Sequence, residues 1–541
     1  MQMQDLSFKL KNTEIKYKDL DISIELFTTE NQYTFLKCDQ ENNVYTFSNC
    51  VWGGTEEVDG NAVLTLNELN DRLTFDVKAK LPLKIRSTKL KIKGLPLGTL
   101  VSLLDQIDRK VDSYGMLYKY PEGWRGVITP LLVYNVNQEK HLFIRSLDHK
   151  VREKRFFMKE ENGTMTLELI YEEAAVDMNN EVVVPTWEIG NAVLEDIYKE
   201  QSKLIEKNYN LVPFEQRLDT PKWLTEISLV VICHMEHWTG NIFHTYKDVV
   251  KDITRLTEYV EGKHILVYLP GWEGRYYFQY GKYEADKRLG GEDDLHYMVS
   301  ELHKLGCKVM PMYGINMTNR DFLEYKTYGE ESLFLTPSGA TFDHGSVDWD
   351  SSRHYDHHSN AQVNPAAPLW QKELSDQIIN LSKKYNFDAA FLDIAAVWVN
   401  DLRYELTPGV VKMCQHIAKS LPDFVVAGEA WYDGLSEAMP LFHSGHTEGK
   451  MHYHDGIYED MFTPYVREFA HLCLGDLAHG STGAHELGTN DDCITPFRKG
   501  VIPTLTLVGD TLDLAFDKVL EVLNQANRYK EEFLDDIDKE D

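Results

Sequence analysis

A change of hydrophobic period divides this chain and limits the folds open to it. Up to about residue 190, apolar and polar residues alternate, as in Leu20-Asp21-Ile22-Ser23-Ile24-Glu25-Leu26, Arg72-Leu73-Thr74-Phe75-Asp76-Val77-Lys78 and Thr164-Met165-Thr166-Leu167-Glu168-Leu169. A period of two places the apolar side chains on one face of a strand, and many such strands separated by polar turns predict an all-β sandwich. From Trp223 onward, short unbroken apolar runs alternate with amphipathic helical stretches. That pattern belongs to βα units wound around a buried parallel sheet. Between the two lies a stretch that reads as a helix over 190–208, with Glu195, Lys199, Lys203 and Glu206 on its polar side, followed by a linker marked by Pro213 and Pro221.

The expected organisation is therefore a β-sandwich over 1–190, a helical linker over 191–221, and an α/β domain over 222–541. The last stretch has room for a (β/α)8 TIM barrel, for which about 250 residues is typical and insertions are common. Its strands are expected at 226–233, 264–269, 307–313, 387–393 and 424–429, with helices over 246–260, 293–305 and 369–385. A final helix is expected over 512–533, ahead of the acidic, solvated Asp535-Asp536-Ile537-Asp538. Beyond strand five the strand positions stay open.

Composition bounds the function classes. The 541 residues are 43% hydrophobic and 11% aromatic, an ordinary globular profile. A formal charge of −30 argues against nucleic acid, whose phosphates are met by Lys and Arg, and suits a neutral or cationic small substrate. Met1-Gln2-Met3-Gln4-Asp5 lacks a basic region followed by an apolar core, and no run of about 18 apolar residues occurs. The expectation is a cytoplasmic protein without a membrane partner; assembly into a homo-oligomer stays open. The seven cysteines are scattered without a Cys-x-x-Cys, so neither a disulfide framework nor a thiolate zinc site is indicated.

Strands four and five each end in a carboxylate, Asp393 in Phe387-Asp388-Ala389-Ala390-Phe391-Leu392-Asp393 and Glu429 in Phe424-Val425-Val426-Ala427-Gly428-Glu429-Ala430-Trp431. With a helix between them, the two acids fall side by side at the carboxyl edge of a parallel sheet, where barrel enzymes keep their chemistry. Two carboxyl groups flanking a sugar can divide the breaking of a glycosidic bond, one as nucleophile or base and one as proton donor. Taken singly, Asp393 reads equally as a helix N-cap, and Glu429 as a strand-end acid bound to Arg or Lys. Gly428 would let the backbone approach a ligand, and Trp398 and Trp431 beside the acids are candidates to bind sugar.

Other loops at the same edge supply further candidates. The loop after strand two, Gly271-Trp272-Glu273-Gly274-Arg275-Tyr276-Tyr277-Phe278-Gln279-Tyr280, reads as a sugar platform with Trp272, Arg275 and Tyr277, or as packing against the first domain. After strand one come Glu236, His237 and Trp238. A loop holding Asp343, His344, Asp348, Asp350, His354, Asp356, His357 and His358 has the residue types of a divalent-metal site, but its spacing matches no standard ligand set and reads as a solvated lid. A third carboxylate of the site is sought in Asp455, within the polar stretch 443–460, or in Asp491 and Asp492.

These residues resemble those of α-glycosidases of the α-amylase superfamily (clan H) and of the endo-α-N-acetylgalactosaminidases. In those enzymes the strand-four aspartate is the nucleophile and the strand-five glutamate, often in Gly-Glu-Ala/Val-Trp, is the acid/base. The resemblance is strongest over 264–435; Leu269-Pro270-Gly271-Trp272, Leu289-Gly290-Gly291 and Asn364-Pro365-Ala366-Ala367-Pro368-Leu369-Trp370 are similar to segments of relatives of these families. It implies a galactose-mutarotase-like sandwich ahead of the barrel, a glycoside or oligosaccharide substrate, and retaining hydrolysis with Asp393 as nucleophile and Glu429 as acid/base. It implies no metal and no organic cofactor. The chain departs from the amylases at Phe391, where they carry arginine, and in lacking their strand-three Asn-His and strand-seven His-Asp, which points to a separate branch. The rival readings are a carbohydrate-binding protein on the same fold and a metal-dependent hydrolase using the histidine-rich loop.

Overall fold

The computed structural model describes residues 11–53, 56–101, 109–123, 127–136, 140–236, 240–274, 280–341, 360–444, 461–470 and 497–534. The chain forms two compact units. The first is Met1–Leu204 with the segments Leu335–Ala340 and Asn400–Arg403; the second is Ile205–Phe334, Thr341–Val399 and Tyr404–Asp541.

The described residues of the first unit build a sixteen-stranded sheet that is antiparallel at each pairing. The alternation in the sequence becomes its buried face: Ile22, Ile24 and Leu26, then Phe75, Val77 and Ala79, then Met165, Leu167, Leu169 and Tyr171 all turn inward. Two-residue hairpins set the register. Asn70-Asp71 (φ 51° and 61°) and Asn162-Gly163 (φ 55° and 80°) have both central residues left-handed, the turn whose twist matches the strands. Strands Lys154–Glu161 and Glu181–Ala192 are far apart in the sheet order, yet Phe156 and Trp187 meet edge to face with ring centroids 5.6 Å apart. The sheet therefore doubles over and encloses its own core, the sandwich arrangement. Within it, fully buried Lys154 pairs with fully buried Asp148 at 2.7 Å, and Arg152 holds the same carboxylate at 2.8 Å.

The second unit carries a parallel barrel. Its strands are β1 (Leu229–Cys233), β2 (Ile265–Leu269), β3 (Lys308–Gly314), β4 (Ala389–Asp393), β5 (Val425–Glu429), β6 (Leu441–Ser444), β7 (Arg467–Ala470) and β8 (Val501–Ile502 with Thr504–Leu507). Each pairs with the next in sequence order, and β8 returns to β1. Pro503, which has no N–H to give, splits β8: Val501–Ile502 pairs with β7 and Thr504–Leu507 with β1, while the Pro503 carbonyl accepts from Val230 N–H at 2.9 Å. The antiparallel sheet unit and the parallel barrel with interleaved helices expected from periodicity are thus present. β1 begins later than expected because Pro221 opens a helical turn, Lys222–Thr225, ahead of it.

Full helices follow β1 to β4 and β8, namely α1 (Tyr246–Leu256), α2 (Gly291–Lys304), α3 (Pro368–Tyr385), α4 (Leu406–Ser420) and α5 (Phe516–Tyr529), whereas β5 is followed only by a short 3-10 turn, Asp433–Glu437. Their ends follow local chemistry. Thr245 and Asp248 cap α1 reciprocally, and α3 starts on Pro368 and stops at Asn386, left-handed at φ 61°. The last helix, expected as one piece, is broken at Ala515, which leaves helical geometry after Thr511–Leu514, and α5 then runs on into a wider turn over Lys530–Leu534. At the amino end of β4, Asp388 is clamped by His303 at 2.8 Å and Lys308 at 2.9 Å, a structural tie on the face opposite the strand ends.

Among the described residues no helix is long and apolar enough to cross a membrane, and no cluster of three or more His, Cys, Asp or Glu is set to hold a metal. Cys38, Cys50, Cys233, Cys307 and Cys414 are free thiols.

Candidate active site

Strand period places the first acid. Phe391 and Asp393 are two residues apart in β4 and so share a face. The Phe391 ring packs in the barrel against Tyr268 at 4.4 Å, and against His443 and Phe469, each at 6.1 Å. Asp393 stands one layer above it, at the carboxyl end of the strand. Glu429 ends β5 in the same layer, in register with His443 of β6. Both acids are buried, at 3% and 2% exposure.

The two carboxyl groups are in contact. Glu429 hydrogen-bonds the Asp393 side chain, and Glu429 Oε2 accepts the Ile394 N–H at 2.7 Å. Asp393 Oδ2 accepts the hydroxyl of Tyr280. Burial pushes the Glu429 carboxyl up to about 7, against the opposing effect of its hydrogen bonds with the Asp393 side chain and the Ile394 amide. A carboxyl of that kind keeps its proton near neutral pH and can donate it.

Each acid is followed by a non-glycine residue in the left-handed region: Ile394 at φ 55° and Ala430 at φ 52°. A β-branched residue at positive φ is an outlier, and such strain persists where surrounding contacts over-determine it. Those contacts are present. Ala396 N–H donates to the Glu429 carbonyl at 3.2 Å, Ala430 N–H to the His443 carbonyl at 2.7 Å, and Ile315 N–H to the Asp393 carbonyl at 3.3 Å. The chain is thereby turned off each strand directly after its acid, leaving both carboxyl groups at the strand ends.

Three of the neighbouring candidates sit differently from the sequence expectation. Trp272 is fully buried: its indole donates to the Met312 carbonyl at 2.9 Å and its ring packs edge-on to Tyr313 and Phe387. It presents no face to a sugar and anchors the loop after β2. Trp431, at 3% exposure, packs on Phe442 and Phe462 and is core as well. Gly428 is small for packing and not for ligand approach, since a Cβ there would stand 2.7 Å from Met439 Sδ and 3.1 Å from Ala395 Cβ. Trp398 is half-buried in the loop after β4. His237, Trp238, Arg275, Tyr277, Asp455, Asp491, Asp492 and the histidine-rich loop lie outside the described residues.

The structure adds Glu273, which the sequence did not single out, and gives surroundings to Glu236, which it did. Glu273, next to Trp272, is buried with neither carboxyl oxygen hydrogen-bonded. Burial first, then the charges of Asp393, Glu236 and Asp286, push it well above the usual carboxylate range. Its surroundings thus favour the protonated form, and Asp393 is the first of the charges that act on it. Glu236, fully buried after β1, meets the half-exposed Arg288 at 2.7 Å, and Arg288 also holds Asp286 at 2.8 Å. The available signal was the spacing of Gly271 and Gly274 around Trp-Glu. Both are left-handed, and a Cβ would meet the Glu236 carbonyl at 2.2 Å from the first and Asp286 Oδ2 at 2.3 Å from the second.

Comparison with known proteins bears on the fold. No protein-family model matches the chain, and no curated protein sequence matches it. Solved structures do. The α-N-acetylgalactosaminidase NagBb from Bifidobacterium bifidum, in complex with GalNAc, aligns with a TM-score of 0.63 at 10% identity over 95% of this chain and 93% of that one. The galactosidase domain of the α-galactosidase-sucrose kinase AgaSK aligns at 0.53 and 12% identity over 94% and 74%. The GH36 α-galactosidase AgaA from Geobacillus stearothermophilus aligns at 0.51 and 11% identity over 94% and 75%. The chain shares the fold of these α-galactosidase and α-N-acetylgalactosaminidase structures over nearly its whole length.

Proposed function

We propose that this protein is a retaining α-glycosidase in which Asp393 attacks the anomeric carbon and Glu429 protonates the leaving oxygen and then activates water. The observation that carries the reading is the contact between two buried carboxyl groups at the ends of adjacent barrel strands, one of them pushed up to about 7. Retention uses carboxyl groups about 5 to 5.5 Å apart, inversion about 6.5 to 9.5 Å. The contact between the two groups favours the closer spacing, and Glu429 turns from Asp393 to the glycosidic oxygen when a sugar lies between them. The reaction balances with these two groups and water.

The substrate class follows the structural neighbours, whose names specify α-galactosides and N-acetyl-α-galactosaminides. We assign this chain to an α-linked galactose or N-acetylgalactosamine unit in an oligosaccharide or glycoconjugate fragment. The galactose-mutarotase-like type of the sandwich and a cytoplasmic location belong to the same reading; the first is supported by the long antiparallel sheet folded on itself.

The test is hydrolysis of aryl α-galactosides and N-acetyl-α-galactosaminides, with their β-anomers as controls, by the wild type, Asp393→Asn and Glu429→Gln. The first-formed sugar is followed by proton NMR. An α-anomer released first from an α-substrate, with activity lost in Asp393→Asn, is the expected result. Release of the β-anomer, or turnover that survives Asp393→Asn, would overturn the assignment.

A further inference from the structure

Tyr280 lies in the loop after β2, fully buried, with its hydroxyl donated to Asp393 Oδ2. Contacts from several elements hold the phenol there. Its carbonyl accepts the Asn319 N–H at 2.8 Å. Gly281 has φ 99°, and a Cβ on it would stand 2.0 Å from Thr318 Oγ1, so the turn after Tyr280 is closed against the segment following β3. The ring lies over Gly314, where a Cβ would come within 2.3 Å of Tyr280 Cδ2. Gly314 is also the β3 residue in register with Asp393. A bare backbone at that point makes room for the ring beside the acid, and Tyr283 fixes the same glycine by accepting its N–H at 2.8 Å.

A donor held this firmly on one carboxylate oxygen has a directional effect, because that oxygen changes character during the reaction. We propose that Tyr280 is the positioning residue of Asp393 and that its hydrogen bond assists breakdown of the glycosyl-enzyme more than its formation. The inference rests on Asp393 being the nucleophile. In the first half-reaction the other Asp393 oxygen bonds to the anomeric carbon, the aglycone leaves with the Glu429 proton, and Oδ2 becomes an ester carbonyl. In the second half, water adds to the anomeric carbon, Glu429 takes its proton, and the electron pair of the ester C–O bond returns to the carboxylate. Tyr280 keeps its proton throughout. A hydrogen bond to a carboxylate is roughly twice as strong as one to a neutral carbonyl, so the phenol favours the released carboxylate over the ester.

Tyr280→Phe keeps the ring and removes only the donor. With an aryl α-glycoside carrying a good leaving group, wild-type turnover and its loss in Asp393→Asn are measured first; failure there sinks the functional reading itself. In Tyr280→Phe, kcat should then fall on the order of tenfold with KM falling in parallel, while kcat/KM stays within about threefold. A pre-steady-state burst of aryl release should develop, and intact-protein mass spectrometry should detect the glycosyl adduct. Gly314→Ala, which pushes the ring off the acid, should reproduce the burst and serves as the second reading if Tyr280→Phe is poorly folded. Equal loss of kcat and kcat/KM without a burst or adduct, or kinetics like the wild type, would overturn the inference and leave the functional reading intact.

Discussion

The amide of Ile394, the residue directly after Asp393, donates to Glu429 Oε2 at 2.7 Å. The backbone that carries one acid therefore positions the other. β4 and β5 are joined at their tips by this bond as well as by their ladder, and the left-handed turn at Ile394 is what aims the amide across. A change at either strand end is expected to move both acids.

Glu429→Gln retains an oxygen for the Ile394 amide and loses the transferable proton. On glycosides with a poor leaving group, kcat/KM should fall about 10²–10⁴-fold, the usual worth of a general acid. Activated glycosides, which need little protonic help to leave, should lose far less. Initial rates on a matched pair of substrates check this, and equal losses on both would remove Glu429 from the acid role.

The raised Glu429 carboxyl also sets a pH limit on activity. Above about 7 it loses the proton that the first step uses, so kcat/KM should decline on the alkaline side of that value. The decline should be absent in Glu429→Gln, whose residual rate has no such proton to lose. An alkaline limb that persists in the variant would assign it to another group.

The same shift is a stability statement. Glu429 binds its proton more tightly in the folded chain than in the unfolded one, so its contribution is present below the ordinary value of 4.5 and declines as pH rises towards about 7. The shift corresponds to a loss on the order of 3 kcal/mol across that window. Glu429→Gln, with no charge to bury, should be more stable than the wild type at pH 8 by a larger margin than at pH 5. Denaturant unfolding at the two values measures it; a pH-independent difference would contradict the buried-charge account.

Trp272 should behave as a core residue. Trp272→Ala removes a fully buried indole and its bond to Met312, with an expected cost of about 3–5 kcal/mol. Trp272→Phe should lose stability while KM for the sugar stays unchanged. A KM rise without a change in unfolding midpoint would restore it as a sugar-stacking residue.

In the sandwich unit, Lys154→Met leaves Asp148 buried beside Arg152 alone. Burial by itself would push the Asp148 carboxyl up; Lys154 and Arg152 override that and hold it well below the usual range. Breaking one partner of such a pair costs about 3–5 kcal/mol. Because the Asp148 value is lowered, this stabilisation is present above the ordinary carboxylate value and is lost as pH falls below it. The difference between wild type and Lys154→Met in unfolding free energy should therefore narrow in acid.

The order of elements was legible because burial imposes a period. Alternation at Ile24-Glu25-Leu26 and the unbroken Val425-Val426-Ala427 follow from one-faced and two-faced burial, and these distinguish a sandwich from a parallel barrel before any contact is known. The strand-end positions of Asp393 and Glu429 followed from the same pattern, since an apolar run that stops at a carboxylate marks where the strand meets water or a partner. β6 to β8 were not legible: Leu441–Ser444 and Arg467–Ala470 are four residues each, and Pro503 interrupts the last strand, so no window is long enough to show a period.

Side-chain surroundings were a separate matter. Trp272 and Trp431 look alike in sequence as aromatics beside the acids, and whether an indole meets solvent or core depends on residues from β3 and β6 that the local sequence does not mention. The same holds for Tyr280, whose hydroxyl reaches Asp393 across more than a hundred positions of chain, and for Glu273, whose missing partners can be known only once its neighbours are in place. Local periodicity determined which layer each residue belongs to, because burial on a strand or helix is a short-range rule. Which side chains meet in the site is set by long-range closure of the barrel, and only the tertiary structure decided it.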